Sequence, residues 1–375
     1  MVDFMKNTLL LFCCLLCLSC SRPAYVDFTG YAQGGVWQVK ANLQGVSNER
    51  TVLQHGLDSL LTAIDASLSG YSQGSVLARH NRGDLPAVAS VADQNVAQSR
   101  EEALAAGYDA MFLKMLELAE AAWTLTDGKV DASAAALFDA WGFGFKHDSL
   151  PSQATSDSLK ALCGSFSLRR PDGRPQRFNF NALAQGFSSD VLAAYLYENG
   201  VKDMLVNVGG EMVCAGVNAS GNPWKLGIDA PYDGNDTPGR KLSGVFSVKT
   251  VPAGVVTSGN YRKFYIKDGV KYAHTIDPST GRPVSHSLLS ATIIVGPDCP
   301  LIAPGAPFEG YPATLADALA TYCMVVGSET AAAFVRSHSG IEACLISGEA
   351  APEVQTGEAA QENYQIWTSE GFPAE

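Results

Sequence analysis

Three features of the sequence predict an α+β fold with an antiparallel, strand-rich core flanked by helices. Two long stretches of helical periodicity come first, short apolar strands separated by turn signals follow between Asp203 and Val295, and no internal repeat divides the chain. At 375 residues the chain can bury a full core. A net charge of −12 without a basic stripe argues against nucleic acid as a partner, so any phosphate recognition has to be local and metal-assisted.

The elements follow in order. Lys6, the apolar run Thr8 to Leu18 and the pair Ser19-Cys20 form a secretory signal over residues 1–20, too short for a spanning helix. A cysteine directly after a small residue is a candidate for lipid attachment, which predicts an exported protein anchored to a membrane through Cys20. Cys17 stands where a bacterial lipobox usually has Leu. Residues 21–31 are expected to be a tether and 32–375 one domain, opening with the strand GGVWQVKANL. From Asn48 to Ser69, Leu53, Leu57, Leu60, Leu61, Ile64 and Leu68 recur at helical spacing, with Asn48 as cap. SGYSQGSVLARHN then reads as a Gly-punctuated loop, and Ser99 to Leu125 as one longer helix.

After the turn at Asp127-Gly128 a short strand and a small-residue segment are expected up to Trp141-Gly142-Phe143-Gly144. The helix Ala184 to Asn199 follows, stopped by Gly200. DMLVNV, EMVCAG, WKLGID, GVFSVKT, RKFYIK and LLSATIIV are strands, and a hairpin around Lys267-Asp268-Gly269 occupies Tyr261 to Ala273. Helices resume at Pro312 to Val326 and Ser328 to Ser337, and the strands IEACLI and YQIWTS flank an acidic insertion, Gly348 to Glu362. Of nine cysteines, four lie in the leader. Cys163, Cys214, Cys299, Cys323 and Cys344 match no zinc pattern and read as buried small hydrophobes, with one disulfide left open.

The chemistry concentrates in a few short stretches. His274 to Pro283, HTIDPSTGRP, should leave the strand before it and hold a stiff surface loop, since Pro278 lacks an N–H, Gly281 permits positive φ and Pro283 closes the segment. His274 is a candidate general base, unless it is merely a satisfied histidine beside an Asx-turn, and Asp277 could orient a histidine or serve the turn. In ADALAT, Asp317 and Thr321 stand one helical turn apart and offer two hard oxygens suited to Mg²⁺; alternatively Asp317 only favours its helix N-terminus. NFNALAQG, from Asn179, brings small residues to a helix start, where backbone N–H groups can receive phosphate. NVGGE and TSGNY are further glycine turns. No P-loop, G-x-S-x-G or H-E-x-x-H is present.

Taken together, VDAS, NFNALAQG, NVGGE, TSGNY, HTIDPSTGRP and ADALAT, in that order behind a lipoprotein-like leader, resemble the FAD:protein FMN transferase family, the ApbE-type flavin transferases. The resemblance spans essentially the whole mature chain and implies an ApbE-like fold. It also implies a metal site on the side chains of Asp317 and Thr321 and the carbonyl of Ala182. Flavin contacts are implied at Gln33, Tyr71, Lys129, Val130, Asp131, Asn179, Gln185 and Ile276, with Asn179 and Gln185 standing where the family more often has Asp and Lys. The implied reaction is Mg²⁺-dependent transfer of FMN from FAD to a Thr or Ser hydroxyl, with AMP leaving, His274 as base and Asp277 beside it. The implied acceptor is an exported or membrane protein, a subunit of a membrane redox complex. Two other readings stand beside it: a Mg²⁺-dependent FAD pyrophosphatase, which similar residues would serve, and a non-catalytic FAD-binding lipoprotein, against which Asp317, Thr321 and His274 together speak.

Overall fold

The computed structural model describes residues 25–86, 96–142, 150–232, 241–260, 264–267, 270–348 and 364–374. Cys20 and the leader, the tip of the Lys267-Asp268-Gly269 hairpin and nearly all of the acidic insertion fall outside them.

Strands β1 (Tyr25–Ala32) and β2 (Gly35–Asn42) form a hairpin closed by Gln33 and Gly34, whose φ values of 53° and 77° are what a tight two-residue turn with the right twist requires. Most of the stretch expected as a tether is therefore an edge strand. Only Phe28 of β1 is buried, so the usual alternation of apolar and polar residues is faint. Helix α1 (Arg50–Leu68) buries Leu53, Leu57, Leu61, Ile64 and Leu68 on one face, as its spacing predicts. Its boundary residue is Glu49, and the Asn48 side chain donates to Asn199 rather than capping.

Four local corrections follow. Val76–Arg82, within the expected loop, is a helix (α2) capped by the Ser75 hydroxyl. The single helix expected from Ser99 is two, α3 (Val96–Ala105) and α4 (Ala110–Leu125). They are parted at Gly107, where φ is 93°, and α4 restarts on an Asp109 cap that accepts from Phe112 N. In place of a strand after Gly128 comes a 3-10 turn, Ala132–Ala134, leading into α5 (Ala135–Ala140). After α6 (Gln153–Lys160) and α7 (Ala184–Glu198), the strands β3 (Met204–Val208), β4 (Glu211–Ala215), β5 (Trp224–Asp229) and β6 (Leu242–Val248) fall where expected. Next comes β7 (Ala253–Gly259), a central strand read from sequence only as the turn TSGNY.

The chain continues through β8 (Phe264–Lys267), β9 (Val270–Ala273), β10 (Ile276–Asp277), β11 (Arg282–Pro283), β12 (Leu288–Val295), α8 (Pro312–Val326), α9 (Ser328–Ser337), β13 (Ile341–Ser347) and β14 (Gln365–Thr368). Eight strands form one antiparallel sheet in the order β1-β2-β3-β4-β7-β12-β13-β14. One face carries Val206, Val256, Ala291 and Ile293 against the helices. The other carries Cys214, Val255, Ile294 and Ile346 against Trp224, Leu226 and Phe246 of the β5–β6 hairpin. Covered on both sides, β12 is buried at all eight positions and reads as a continuous apolar run. All five cysteines outside the leader are free; four are buried and Cys163 is half-buried.

Candidate active site

The site lies where two helix starts meet a hairpin turn. Helix α8 begins at Pro312 against the sheet backbone so closely that a Cβ on Gly254 of β7 would lie 2.3 Å from the Pro312 carbonyl carbon. Water has no access to its first N–H groups, and its boundary residue Tyr311 supplies no side-chain cap. The cap comes from α7. Asp190 accepts from Ala313 N at 3.0 Å, Thr314 N at 2.8 Å and the Thr314 hydroxyl at 2.7 Å. Burial raises the Asp190 carboxyl to about 7 against the pull of those three donors.

The reverse contact sits one turn away. Helix α7 also lacks a side-chain cap at its boundary residue Leu183, and the Gly186 N–H in its first turn donates to Asp317 Oδ2 of α8 at 3.1 Å. A Cβ at Gly186 would fall 2.5 Å from the Ala313 carbonyl oxygen and 2.9 Å from Asp317 Cβ, so only glycine allows this approach. Asp317 is 5% exposed. Burial first, and the nearby Glu211 charge second, push its carboxyl well above the usual range, while the Gly186 N–H pulls the other way. A divalent cation would relieve both penalties, which fits the hard-oxygen reading. No group of three or more His, Cys, Asp or Glu side chains suited to a metal occurs among the described residues. An ion here would be completed by carbonyl, hydroxyl, water and phosphate oxygens. Thr321 lies one turn beyond Asp317, half-buried, and Ala182 is half-buried just before α7.

NVGGE is the two-residue turn between β3 and β4, with φ of 72° at Gly209 and 121° at Gly210. The Gln185 amide packs onto it: a Cβ on Gly209 would lie 2.1 Å from Gln185 Nε2 and 3.1 Å from Glu211 Oε2. Ser189 donates to the Glu211 carbonyl at 2.7 Å. Gln33, at the neighbouring β1–β2 turn, donates through Nε2 to Ser188 Oγ at 2.5 Å. Its buried Oε1 has no hydrogen-bond partner among the described residues, an acceptor placed for a ligand donor. The Gln33 backbone N–H also reaches Asp65, opposing the upward shift that burial gives that carboxyl. Tyr71, just past α1, is 67% exposed.

In the approach to α7, Phe178 and Phe180 are buried and stacked, which turns the intervening Asn179 outward to half-burial. Asn179 N donates to Ala132 O at 2.8 Å, and its Oδ1 accepts from Asn181 N at 2.9 Å. This link ties the helix-start region to a second group of residues. There, Asp131 accepts from Ser133 N and Oγ on one oxygen and from Gly164 N on the other. Burial raises its carboxyl and those bonds oppose the rise. Val130 is buried, its N–H held by Thr126 Oγ1. Lys129 Nζ donates to both oxygens of Asp277, at 3.1 and 3.2 Å, and to Ser279 Oγ at 2.7 Å.

Those contacts define the HTIDPSTGRP loop. Ile276–Asp277 pairs with Arg282–Pro283, so the segment keeps a two-residue ladder where sequence suggested none. Asp277 O accepts from Gly281 N, and Asp277 Oδ1 accepts from Ser279 N at 2.9 Å. The Asp277 carboxylate therefore holds the turn and Lys129. Ile276, 2% exposed, packs with Leu137 and Trp141, and Trp141 Nε1 donates to Gly281 O at 2.8 Å. His274 is half-buried at the loop's start. His80, the other histidine of interest, is fully buried. Its Nε2 faces the Gln176 carbonyl at 2.6 Å and Nδ1 the Tyr108 hydroxyl at 2.8 Å, and burial lowers it to about 4, marking a neutral core residue.

Sequence reasoning singled out neither Asp190 nor Glu211 nor Ser188. The one available signal was spacing: Gly186 and Asp190 on α7, like Ala313 and Asp317 on α8, are a turn apart.

Comparison with known proteins points to one family. A model of the ApbE family matches residues 33–345. The chain is 28% identical over 336 residues to the FAD:protein FMN transferase of Vibrio cholerae, covering 87% of this chain and 89% of that one. It is 29% identical over 369 residues to that of Salmonella typhimurium, with coverages of 94% and 89%. Among solved structures, the flavin transferase ApbE from Vibrio cholerae superposes with a TM-score of 0.71 at 24% identity, covering 93% of this chain and 98% of that one. The apo form of Pseudomonas stutzeri flavinyl transferase ApbE gives 0.69 at 25% identity, with coverages of 94% and 96%.

Proposed function

Because the chain belongs to the ApbE family, we propose that it is an exported FAD:protein FMN transferase that uses Mg²⁺ to move FMN from FAD onto a Thr or Ser hydroxyl of an acceptor protein, releasing AMP. The observation that carries the reading is Asp317: a buried carboxylate whose charge is opposed by burial and by Glu211, held at the meeting of two helix starts. Asp317, Thr321 and the Ala182 carbonyl would hold the ion. Bound there, it would neutralise charge developing on the pyrophosphate.

The chain's own residues do the rest. Gln33 Oε1, Gln185 and the backbone about Lys129 to Asp131 orient the flavin half, and Ile276 supplies an apolar wall. The acceptor oxygen attacks the FMN-side phosphorus in line, the bond from that phosphorus to the bridging oxygen breaks, and AMP departs with the bridging oxygen. His274 takes the proton that the acceptor hydroxyl gives up. Lys129 and Asp277 hold the loop from which it acts. Cys20 anchors the protein by a lipid, and the acceptor is a subunit of a membrane redox complex.

The test is incubation with FAD, MgCl2 and a candidate acceptor, with mass spectrometry of the products. FMN on the acceptor together with free AMP supports the transferase. Free FMN and AMP with an unmodified acceptor would make the protein a pyrophosphatase, and unchanged FAD would make it a binder.

A further inference from the structure

Helices α7 and α8 exchange caps. Neither has a side-chain cap from its own boundary residue, and each receives a carboxylate from the other: Asp190 of α7 on Ala313 and Thr314, Asp317 of α8 on Gly186. The two contacts are spaced one turn on both helices, so they act as two rungs that fix both the sliding and the rotation of α8 against α7. A single rung would fix the Asp317 end of α8 against α7 at one point only.

We propose that Asp190 is a positioning residue for the metal site. By capping α8 it sets the height and rotation at which Asp317 meets Gly186, and so the direction in which Asp317 offers its Oδ1. This rests on the reading of Asp317 as the metal-binding carboxylate. Asp190 itself touches neither ion nor substrate. Gly254 of the sheet meets the same helix start, blocking movement toward the sheet, since Pro312 already sits against its backbone. Loss of the Asp190 rung leaves the Gly186 bond alone to set Asp317 against α7, and in a close-packed helix a shift of a few tenths of an ångström there is enough to re-aim a ligand oxygen.

The experiment titrates MgCl2 into protein saturated with FAD, with no acceptor present, and follows the initial change in flavin fluorescence, giving a half-saturating magnesium concentration. Asp190→Asn, which sets an amide N–H2 where an acceptor is needed, is expected to raise that concentration at least about tenfold, the size seen when a partner that orients a ligand is lost. Leu192→Ala, a fully buried position on the same helix, serves as the stability control and is expected to leave it within about twofold. Thr314→Val, which removes only the 2.7 Å hydroxyl bond, should raise it several-fold, and Thr314→Ser should restore it.

A folded Asp190→Asn protein with wild-type magnesium response overturns the proposal, as does a Leu192→Ala shift as large as the Asp190→Asn one. If Asp190→Asn does not fold, the Thr314 pair decides: equal responses from Val and Ser overturn it. Asp317→Ala is titrated in parallel. A normal magnesium response there would show that the ion is bound elsewhere, so the metal assignment itself fails and the proposal with it; loss there with no effect at Asp190 or Thr314 defeats the positioning role alone.

Discussion

The two halves of the site are built by opposite means. Around Asp317 the parts are main chain and short side chains brought into direct contact: Gly186 against Ala313, Gly254 against Pro312, Gly209 against Gln185. Around His274 the parts are longer side chains acting as struts: Lys129 to Asp277, Trp141 to Gly281, and Arg282 to Gln153. Asp317 is 5% exposed within a core that includes α8 and β12, whereas the loop rests on a satellite cluster of Ala134, Leu137, Trp141 and Ile276. Close packing tolerates no displacement, while a strutted loop yields by degrees. The half that would hold the ion is thus the rigid one, and the half that would meet a variable protein acceptor is the adjustable one.

Substitutions should separate the halves. Asp317→Ala has the largest expected effect, loss of magnesium-dependent transfer to background, with far-UV circular dichroism unchanged; turnover that still responds to magnesium would move the ion out of this half. His274→Ala is expected to slow single-turnover transfer by about 10² to 10⁴-fold while FAD affinity, read by fluorescence quenching, stays near wild type. Parallel losses of affinity and thermal stability would instead make His274 a prop for its loop. Lys129→Met cuts a strut between groups that are 28% and 15% exposed, and the transfer rate should fall by roughly tenfold with little change in magnesium response. A magnesium response altered as much as the rate would mean the halves are not independent.

The smallest effect is on stability. A carboxyl raised to about 7 in the fold, from an ordinary value near 3.8, binds its proton more tightly folded than unfolded. Its contribution is therefore fully present at low pH and is lost as pH climbs from about 4 to about 7. The Tm of the metal-free protein minus that of Asp190→Asn should accordingly shrink across this window in scanning calorimetry. His80, lowered to about 4, contributes the opposite slope but is common to both proteins and cancels. A difference that is flat or widens with pH would contradict the burial argument.

Much of this was legible in sequence because it is local. The spacing of Leu53, Leu57, Leu61 and Ile64 marks α1, and ADALAT and NFNALAQG mark the starts of α8 and α7. The family resemblance likewise rests on contiguous motifs, and the family match bears it out. Three elements were hidden for physical reasons. Strand β1 buries one residue of eight, β7 carries the residues of a turn although tertiary packing makes it central, and the break between α3 and α4 depends on Gly107 and the Asp109 cap within an otherwise helical pattern. The exchanged caps were hidden most completely. They join residues more than a hundred positions apart, and no local pattern of carboxylates announces a helix that is capped by its neighbour.

The direction of β1 has a consequence for reach. Tyr25 is pinned to the body, its hydroxyl donating to Val217 O and its ring 6.1 Å from Trp224, and the strand then runs away from that point to Gln33. Eight residues of strand extend about 27 Å. With Cys20 acylated as proposed, the five residues to Tyr25 can add at most about 18 Å of slack. On that proposal the sheet would act as a short mast, with Tyr25 nearer the lipid and the Gln33 turn, beside the candidate site, a strand's length away. An upright body would then favour acceptor threonines or serines on a domain standing clear of the bilayer over those at the lipid headgroups.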